Sequence, residues 1–554
     1  MYRTILLMLI LCTPVYAAAV TEEIIVIGDR SSSENRMLTY SFDIVKVDDI
    51  EDLDNVVGVD LVRTGPKGQQ TSLFTRGTNS NHTLIALNGV AIKDHSTISG
   101  SDDIGKLSAT GIDKIEIILG PMGSVYGANA IGGVINMHSV ASKKNKFFTH
   151  MGNREHFTHK LSYGNDFDEH TLSFDVSYEN NPQAISVNPT GTEPDPYTFR
   201  DITLNYSYDL SQSESIYVNT MSRNHDISLD AYNGDDLDYV GKWEMTNKQF
   251  IYANNNTMVA VNQTSHDRTY TDGDLISLYN SDVDTLLVHT TLDNFTYGVE
   301  LENVSASFDI NGDWSYNSYN THKSRQNRGA FFGYDEKNYT VGVRHDDLYS
   351  ITTYRIGGQL AGFRTSWATG FKAPTLYELF GRDSYGFMGN PNLAPERSET
   401  VEIGYGNIVT LFYTELTDMH TYSNSTYSNS ESIQRIKGAE FNYGIGPLSF
   451  NYTFLDVGKE VLRRPKHKAI IKLSGRGHTF KAKYTGEHRD IHSALFTTID
   501  MKAVTLYDYD YRLPITSMGN ILFGVKNIMD KTYQSPHGYS QRGREIYMRL
   551  EYEF

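Results

Sequence analysis

Two short stretches of the chain hold closely spaced carboxylates, which is the chemistry of a hard cation site. The stretches read TGTEPDP and LDAYNGDDLDYVGKW, and their acidic residues are Glu193, Asp195, Asp230, Asp235, Asp236 and Asp238. Calcium takes six to eight oxygen ligands, so it is the first candidate for such a cluster. The alternative is a pair of solvated loops, because acidic residues are mostly exposed in folded proteins.

Three histidines lie close together in the stretch HMGNREHFTHK, at His150, His156 and His159. Imidazole nitrogens ligate soft metals and haem iron, so one interpretation is a metal or haem site. The other is that these side chains face water at the start of a series of strands. We expect the second.

Nothing in the sequence indicates an enzyme. No nucleophile, general base and orienting group stand together as a set. The glycine-rich pieces contain no GxGxxG and no Lys-Ser/Thr after the glycines, so they do not predict a nucleotide loop. The formal charge of -18 argues against nucleic acid, because neutralising phosphates requires an excess of Lys and Arg. The same charge fits acidic loops that bind a divalent cation or face lipopolysaccharide.

A glycine-punctuated stretch, IDKIEIILGPMGSVYGANAIGGVINM at residues 112–137, organises the elements that position these groups. Its runs IEIIL and GVINM predict two buried strands joined by close turns. Shorter strands (FDIVKV, TLIALNGVAI) and a helix near 47–56 are expected before it. Two polar stretches, TRGTNSNH at 75–82 and KDHSTISGSDDI at 93–104, are too polar for a core. A compact domain with two polar tips is predicted.

From about residue 147 onward the chain becomes a long series of tyrosine-rich segments with alternating polarity. The terminal stretch IYMRLEYEF places Ile546, Met548, Leu550, Tyr552 and Phe554 on one face of a strand. The chain is only 39% hydrophobic, yet it has 38 tyrosines and 25 phenylalanines. That composition is typical of a water-filled membrane barrel with aromatic girdles. About 410 residues at roughly ten per strand predict some 22 strands, and closure removes the sheet edges.

The first residues predict a secretory signal peptide at 1–19. Arg3 precedes a short apolar run, and small residues follow at Ala17, Ala18 and Ala19. A transmembrane anchor would need about twenty apolar residues, so the run is too short, and no later run reaches that length. The only cysteine, Cys12, lies in this segment, and the bulky Leu11 before it favours simple cleavage over lipidation. The mature chain then has no thiol.

Just after this segment comes EEIIVIG, followed by the polar stretch DRSSSENR. A lone strand-forming run before a flexible linker is available for strand addition to a partner sheet. The alternative is that it forms the first strand of the following domain. Both interpretations stay open at this point.

Four motifs together resemble one family. GVDLVRTGPKGQQTSLFTRGTNSNHTLIALNGV, IEIILGPMGSVYGANAIGGVINM, the pair FKAPTLYELF and GNPNLAPERSE, and FGVKNIMDKTY with the terminal Phe554 look like the TonB-dependent outer-membrane transporters. The resemblance implies an all-β membrane protein in which a closed antiparallel barrel of about 22 strands (141–554) surrounds a small α+β plug domain (31–140). Residues 20–30 would be the TonB-interacting segment and linker. TonB would bind Glu22, Glu23, Ile24, Ile25, Val26, Ile27 and Gly28.

Within the family, the tips and the ending HGYSQRGREIYMRLEYEF are most similar to the cobalamin-importing members. The resemblance implies active import of cobalamin or a related corrinoid, with a siderophore, haem or other metal complex as the alternative. A third possibility, from another class, is an enzyme or passive adhesin built on the barrel. It implies ligand contacts at Gln70, Ser72, Asn79, Ile98, Ser99 and Arg463. It also implies calcium ligands near Glu193, Asp195, Asp230 and Asp238, although an expected acid near Ala184 is missing. The expected partners are TonB, the ligand, and outer-membrane lipid and lipopolysaccharide, and we expect a monomer without a redox cofactor.

Overall fold

The computed structural model describes residues 41–46, 49–143, 145–230, 234–311, 319–383, 386–458 and 461–554. The predicted signal peptide and the predicted TonB-interacting segment lie outside the described residues.

The first part of the chain folds around a mixed sheet. Its strands are β1 Ser41–Val45, β2 Val59–Arg63, β3 Thr71–Thr75, β4 Thr83–Leu87, β5 Val90–Ala91, β6 Lys114–Leu119 and β7 Gly133–His138. Five of them form one sheet in the order β1-β6-β7-β4-β5, and β2 pairs with β3 separately. The IEIIL and GVINM runs are β6 and β7, as the sequence predicts. Both faces of these strands are buried, which is why the runs are apolar throughout.

One glycine in this domain is required by a close approach of two backbones. Gly133 has φ +154°, and a Cβ there would lie 2.3 Å from the carbonyl oxygen of Ile118 on the neighbouring strand. No other residue fits this position without moving the strand. The glycine punctuation of the stretch therefore allows β6 and β7 to pack closely.

Helices are short. The α-helices are α1 Gly123–Tyr126 and α2 Leu376–Phe380, and the 3₁₀ helices are Ile50–Asn55, Ser80–His82 and Ile104–Lys106. The helix expected near 47–56 is thus a 3₁₀ helix, which starts where the Asp49 side chain accepts a hydrogen bond from the backbone N–H of Glu51. Within the described residues, no helix combines the length and apolar composition needed to cross a membrane.

In the part of the chain that the structure describes, twenty-six strands follow the first domain. They are β8 Lys146–Gly152, β9 Phe157–Phe167, β10 His170–Asn181, β11 Tyr197–Ser211, β12 Glu214–Ser228, β13 Val240–Asn254, β14 Thr257–Asp272, β15 Leu275–Leu292, β16 Phe295–Asn311, β17 Tyr319–Glu336, β18 Tyr339–Asp346, β19 Ile351–Leu360, β20 Phe363–Lys372, β21 Glu396–Tyr405, β22 Val409–Thr417, β23 His420–Ser423, β24 Thr426–Asn429, β25 Gln434–Ile445, β26 Leu448–Asp456, β27 His467–Gly475, β28 His478–Thr485, β29 His488–Ile491, β30 Thr498–Met501, β31 Val504–Thr516, β32 Gly519–Lys526 and β33 Glu545–Glu553. Twenty-two form a closed antiparallel barrel, and β23-β24 and β29-β30 are separate hairpins. The last strand, β33, pairs with β8 and closes the barrel. The predicted strand number is confirmed.

The barrel wall has polar residues inside and apolar residues outside. On β11, Asp201 and Thr203 are 2% and 0% exposed, whereas Ile202 and Leu204 are 53% and 46% exposed. A water-soluble barrel would bury its apolar residues instead. This reversed pattern is that of a barrel whose outer surface contacts lipid.

The two ends of the barrel differ in the length of their connections. One end has short turns, such as 168–169 and 212–213, and the other has longer loops, such as 182–196 and 373–395. In outer-membrane barrels the short turns face the periplasm and the long loops face the exterior. The acidic residues within 190–196, 229–230 and 234–239 therefore lie at the external end.

The first domain lies inside the barrel as a plug and is attached by a buried charge cluster. Arg76 of the plug donates to both oxygens of Glu440, at 2.9 and 2.7 Å, and to Glu402 at 2.5 Å. Arg364 of the wall also contacts Glu402. We call Arg76, Glu402, Glu440 and Arg364 the plug anchor. All four side chains are buried, so these charges depend on one another for compensation.

Candidate ligand-binding site

A cavity of about 640 Å³ lies between the plug and the barrel wall at the external end. Its floor comes from the plug, including Gln70 and the tip residues Ile98 and Ser99. Its sides come from the long strands β12 to β16 and from the loops above them. The volume falls within the range of about 300–1,000 Å³ that is usual for small-molecule sites.

Aromatic side chains supply much of the cavity wall. They are Tyr239, Trp243, Tyr270, Tyr279, Tyr377 and Tyr539. The rings of Tyr270 and Tyr279 meet edge to face with centroids 6.0 Å apart, and Tyr377 lies 6.1 Å from Tyr279. Such rings offer flat apolar area with a polar edge. The cavity thus suits a large ligand with both apolar faces and hydrogen-bonding groups.

The permanent positive charges in the cavity lining are already paired with aspartates. Lys106 Nζ lies 3.3 Å from Asp103, and Arg268 Nε lies 3.1 Å from Asp94. Further carboxylates line the same cavity, namely those of Asp102, Asp230, Asp272 and Asp383. Among the described residues, carboxylates therefore outnumber cations around the cavity. An anionic ligand would find no surplus positive charge there.

The structure brings together three of the six predicted ligand contacts. Gln70, Ile98 and Ser99 line the cavity, and Ile98 is 52% exposed at its floor. Ser72, Asn79 and Arg463 lie outside the lining. Asn79 Oδ1 accepts a hydrogen bond from Arg464 at 3.2 Å, and Arg463 pairs with Asp490 at 2.8 Å.

The two plug tips are held against each other and against the wall. We call residues 75–82 the first tip and residues 93–104 the second tip. Asn81 of the first tip donates to the carbonyl of Ser99 at 2.8 Å, and Arg268 of the wall donates to the carbonyl of Ser96 at 2.7 Å. A change in the position of the first tip is therefore transmitted to the cavity floor.

Three of the predicted metal ligands form a compact group at the external end. One carboxylate oxygen from each of Glu193, Asp195 and Asp230 lies within 4.8 Å of the other two. Asp195 is 1% exposed, and its Oδ1 is buried without a hydrogen-bond partner. Asp238 lies outside this group. An orphaned buried carboxylate oxygen facing two other carboxylates is what a cation would satisfy.

The carboxylates of this acidic group are buried close together, which destabilises their ionised forms. Burial, together with the carboxylates of Asp230 and Glu193, raises the pKa of Asp195 to about 7. Burial also raises the pKa of Asp230, and loss of water together with the neighbouring aspartates raises the pKa of Glu193. Raised pKa values in a carboxylate cluster mean that the ionised form lacks a counter-charge.

The expectation that the three histidines face water is wrong for two of them. His150 and His156 are 4% and 8% exposed, and His159 alone is exposed. His156 Nε2 lies 3.1 Å from Glu179, and Arg549 Nε donates to His150 Nδ1 at 3.2 Å. His150 lies on β8 and pairs in register with Arg549 of β33, whereas His156 lies between β8 and β9, and both rings are buried.

Comparisons with known proteins agree with this architecture. The family model described as "TonB dependent receptor-like, beta-barrel" matches residues 143–528, and the "TonB-dependent Receptor Plug Domain" matches residues 41–134. The chain is a TonB-dependent receptor. It is therefore an outer-membrane transporter that works with TonB, and not an enzyme.

Solved structures of other receptors superpose on nearly all of this one. The siderophore receptor PirA from Acinetobacter baumannii is 15% identical, with 93% of this chain and 98% of that chain covered and a TM-score of 0.72. The ferric yersiniabactin uptake receptor FyuA from Yersinia pestis is 16% identical, with 95% and 99% covered and a TM-score of 0.69. The ferripyoverdine receptor of Pseudomonas aeruginosa is 13% identical, with 93% and 86% covered and a TM-score of 0.72. These likenesses show a shared fold.

The aromatic wall of the receptor's cavity was not among the sequence-based predictions. Trp243 and Tyr270 sit on strands whose alternation shows that one face differs from the other, but not which face lines the lumen. The excess of tyrosine suggested girdles at the membrane interfaces instead. The missing signal was the strand register, which only the closed barrel supplies.

Proposed function

We propose that this receptor imports a large metal complex that carries no net negative charge. The charge balance of the cavity carries this proposal, because Lys106 and Arg268 are already paired and further aspartates remain around them. Bringing an anion against these carboxylates would cost electrostatic free energy with no cation to offset it. The aromatic wall supports a ligand of large apolar area.

Two kinds of complex satisfy this description. The first is a ferric siderophore of an uncharged type. It is supported by the structural neighbours, of which one is named a siderophore receptor and two are named as receptors for ferric yersiniabactin and ferripyoverdine. The second is cobalamin or a related corrinoid, a nearly neutral disc fringed with amides. It is supported by Gln70, Ile98 and Ser99, which line the cavity as the resemblance to cobalamin importers implies.

A binding panel on the purified receptor tests the charge rule and separates the two candidates. We expect micromolar retention of cyanocobalamin or of a neutral ferric trihydroxamate, and none of an anionic ferric tricatecholate. Retention is measured by equilibrium dialysis with calcium present. Whichever neutral complex is retained identifies the ligand class. Tight binding of the tricatecholate alone would refute the proposal.

The same panel gains a structural control from two tyrosines. Replacing Tyr270 by alanine removes a ring from the cavity and is expected to weaken binding about three- to tenfold, the usual worth of one aromatic contact. Replacing Tyr252, which lies outside the lining, is expected to leave affinity unchanged. Equal effects of the two substitutions would mean that the ligand binds elsewhere.

We also propose that Glu193, Asp195 and Asp230 hold a calcium ion that orders the loops beside the cavity. The orphaned Asp195 oxygen and the raised pKa values support this assignment. Calcium takes six to eight oxygens, so water and backbone carbonyls would complete the shell. Asp230 also lines the ligand cavity, which links the ion to ligand binding.

Calcium affinity should fall as the pH is lowered through 7. The pKa of Asp195 is raised to about 7, so protons compete with the cation below that pH. We expect about tenfold weaker binding at pH 6 than at pH 8, measured by calorimetry. Without calcium, the free energy of unfolding should fall as the pH rises through 7. Rising pH ionises the Asp195 carboxyl, and the fold disfavours this carboxyl as an anion. Affinity that does not change with pH would contradict this site.

Two substitutions separate the observed group from its predicted fourth member. Changing Asp195 to asparagine is expected to abolish micromolar calcium binding. The same change at Asp238, which lies outside the group, is expected to alter affinity less than about threefold, as for a distant exposed charge. A larger loss at Asp238 than at Asp195 would restore the sequence-based ligand set.

A further inference from the structure

Two motifs of the barrel, FKAPTLYELF and GNPNLAPERSE, converge on one buried charge cluster. Lys372 ends β20, Glu378 lies in α2 and Glu396 begins β21. Lys372 Nζ lies 3.0 Å from both oxygens of Glu378 and 3.2 Å from Glu396. All three residues are at most 2% exposed. The motifs thus supply two carboxylates that share one lysine of the wall, and His420 Nδ1 lies 3.3 Å from Glu378 and 3.4 Å from Glu396 in the same cluster.

The plug places a histidine against this cluster. His82, at the end of the first tip, has its Nε2 2.9 Å from Glu396. The backbone N–H of Asn79 donates to His82 Nδ1 at 3.2 Å, so the ring proton is on Nε2 and is donated to Glu396. Burial lowers the pKa of His82, which keeps the ring neutral. His82 is therefore a neutral donor with both nitrogens used.

This contact differs in kind from the plug anchor. Pulling Arg76 out of the anchor separates a full charge from buried carboxylates. Pulling His82 away removes one neutral donor, while Glu396 keeps Lys372 as its counter-charge. Breaking a buried ion pair is far costlier than breaking a single hydrogen bond to a group that stays paired. The contact at His82 is thus built to open first.

We propose that His82, Glu396, Lys372 and Glu378 form a reversible clasp, in which His82 is a positioning residue that holds the first plug tip in its ligand-binding arrangement. Opening the clasp removes one neutral donor and leaves the ion pair between Glu396 and Lys372 within the wall. Asn81, next to His82, donates to the carbonyl of Ser99, which lies in the cavity floor. Opening or closing of the clasp therefore affects the position of the floor. This role goes beyond the nature of the ligand and does not depend on it.

A single introduced thiol tests the clasp. The chain's only cysteine is Cys12, in the predicted signal peptide, so replacing half-buried Ser80 with cysteine gives the mature receptor one thiol. The readout is the rate at which a membrane-impermeant maleimide labels this thiol in intact cells without added ligand. Changing His82 to leucine is expected to raise the rate about tenfold, because the tip loses its hydrogen bond to the wall.

Two further variants distinguish positioning from general loosening. Glutamine at position 82 can accept from Asn79 and donate to Glu396, so it is expected to restore the rate to within about twofold of wild type. His225 makes an equally short 2.9 Å contact, to Asp201, within the wall alone. Changing His225 to leucine is expected to leave the rate unchanged. Folding of each barrel is checked by its altered gel mobility before heating.

The outcomes decide the proposal in either direction. A wild-type labelling rate in H82L, no rescue by H82Q, or an equal increase in H225L would each overturn it. Where H82L fails to assemble, E396Q replaces it, since an amide keeps the shape of the site and weakens the acceptor. A faster rate in E396Q supports the clasp, and an unchanged rate refutes it.

Discussion

An alanine in place of Arg76 is expected to lower the free energy of unfolding of the plug by about 3–5 kcal/mol, the usual cost of breaking a buried ion pair. Arg76 is the plug's contribution to the anchor, and its removal leaves Glu440 without the cation that contacts both of its oxygens. The measurement is hydrogen exchange of peptides spanning 112–137, which should speed up at least about a hundredfold.

The matched control is an arginine whose ion pair is exposed on the outer face of the barrel. Arg200 lies 2.6 Å from Asp226, and the two side chains are 53% and 44% exposed. Its replacement by alanine should cost less than about 1 kcal/mol, because water screens such a pair. Plug exchange that is no faster in the Arg76 variant than in the Arg200 variant would contradict the anchor.

Proline in place of Ile25 is expected to reduce import of the ligand to background while leaving ligand binding unchanged. We propose that residues 22–28 add as a strand to a sheet of TonB, which requires a continuous row of backbone hydrogen bonds. Proline removes one donor and fixes φ at about -65°. The measurement is uptake of labelled ligand by cells, with binding to the same cells at low temperature measured in parallel.

Alanine at the same position keeps the backbone donor and is expected to retain most of the import. Import by the proline variant at the wild-type rate would mean that the segment is not the attachment point. Loss of both binding and import would instead place the segment in the plug, as its first strand.

Much of the fold could be predicted from short stretches of sequence, because burial and contact with lipid each leave a pattern in consecutive residues. The IEIIL and GVINM runs are buried on both faces and therefore apolar throughout. Barrel strands alternate because one face meets lipid and the other meets water, as Ile202 and Asp201 illustrate. The number of strands then followed from dividing the length of the barrel region by the number of residues in one strand and its connection.

The site depends on contacts that are distant in sequence, which is why its composition was only partly foreseen. Glu440 is 364 residues from Arg76, and Glu396 is 314 residues from His82. No local pattern encodes such pairs. The burial of His150 likewise depends on β33, the last strand of the chain. The polar tips were foreseen because a loop too polar for a core must meet water or a ligand.

The pairing of β33 with β8 has a consequence for how cells make the protein. The wall cannot be completed until β33 has been synthesised and has crossed the inner membrane. By then the plug has already been synthesised, but Glu402 and Glu440, which hold it, still belong to a sheet that has not closed into a barrel. Assembly must therefore enclose this domain late, and deleting residues from β33 should harm biogenesis more than shortening an external loop by the same length.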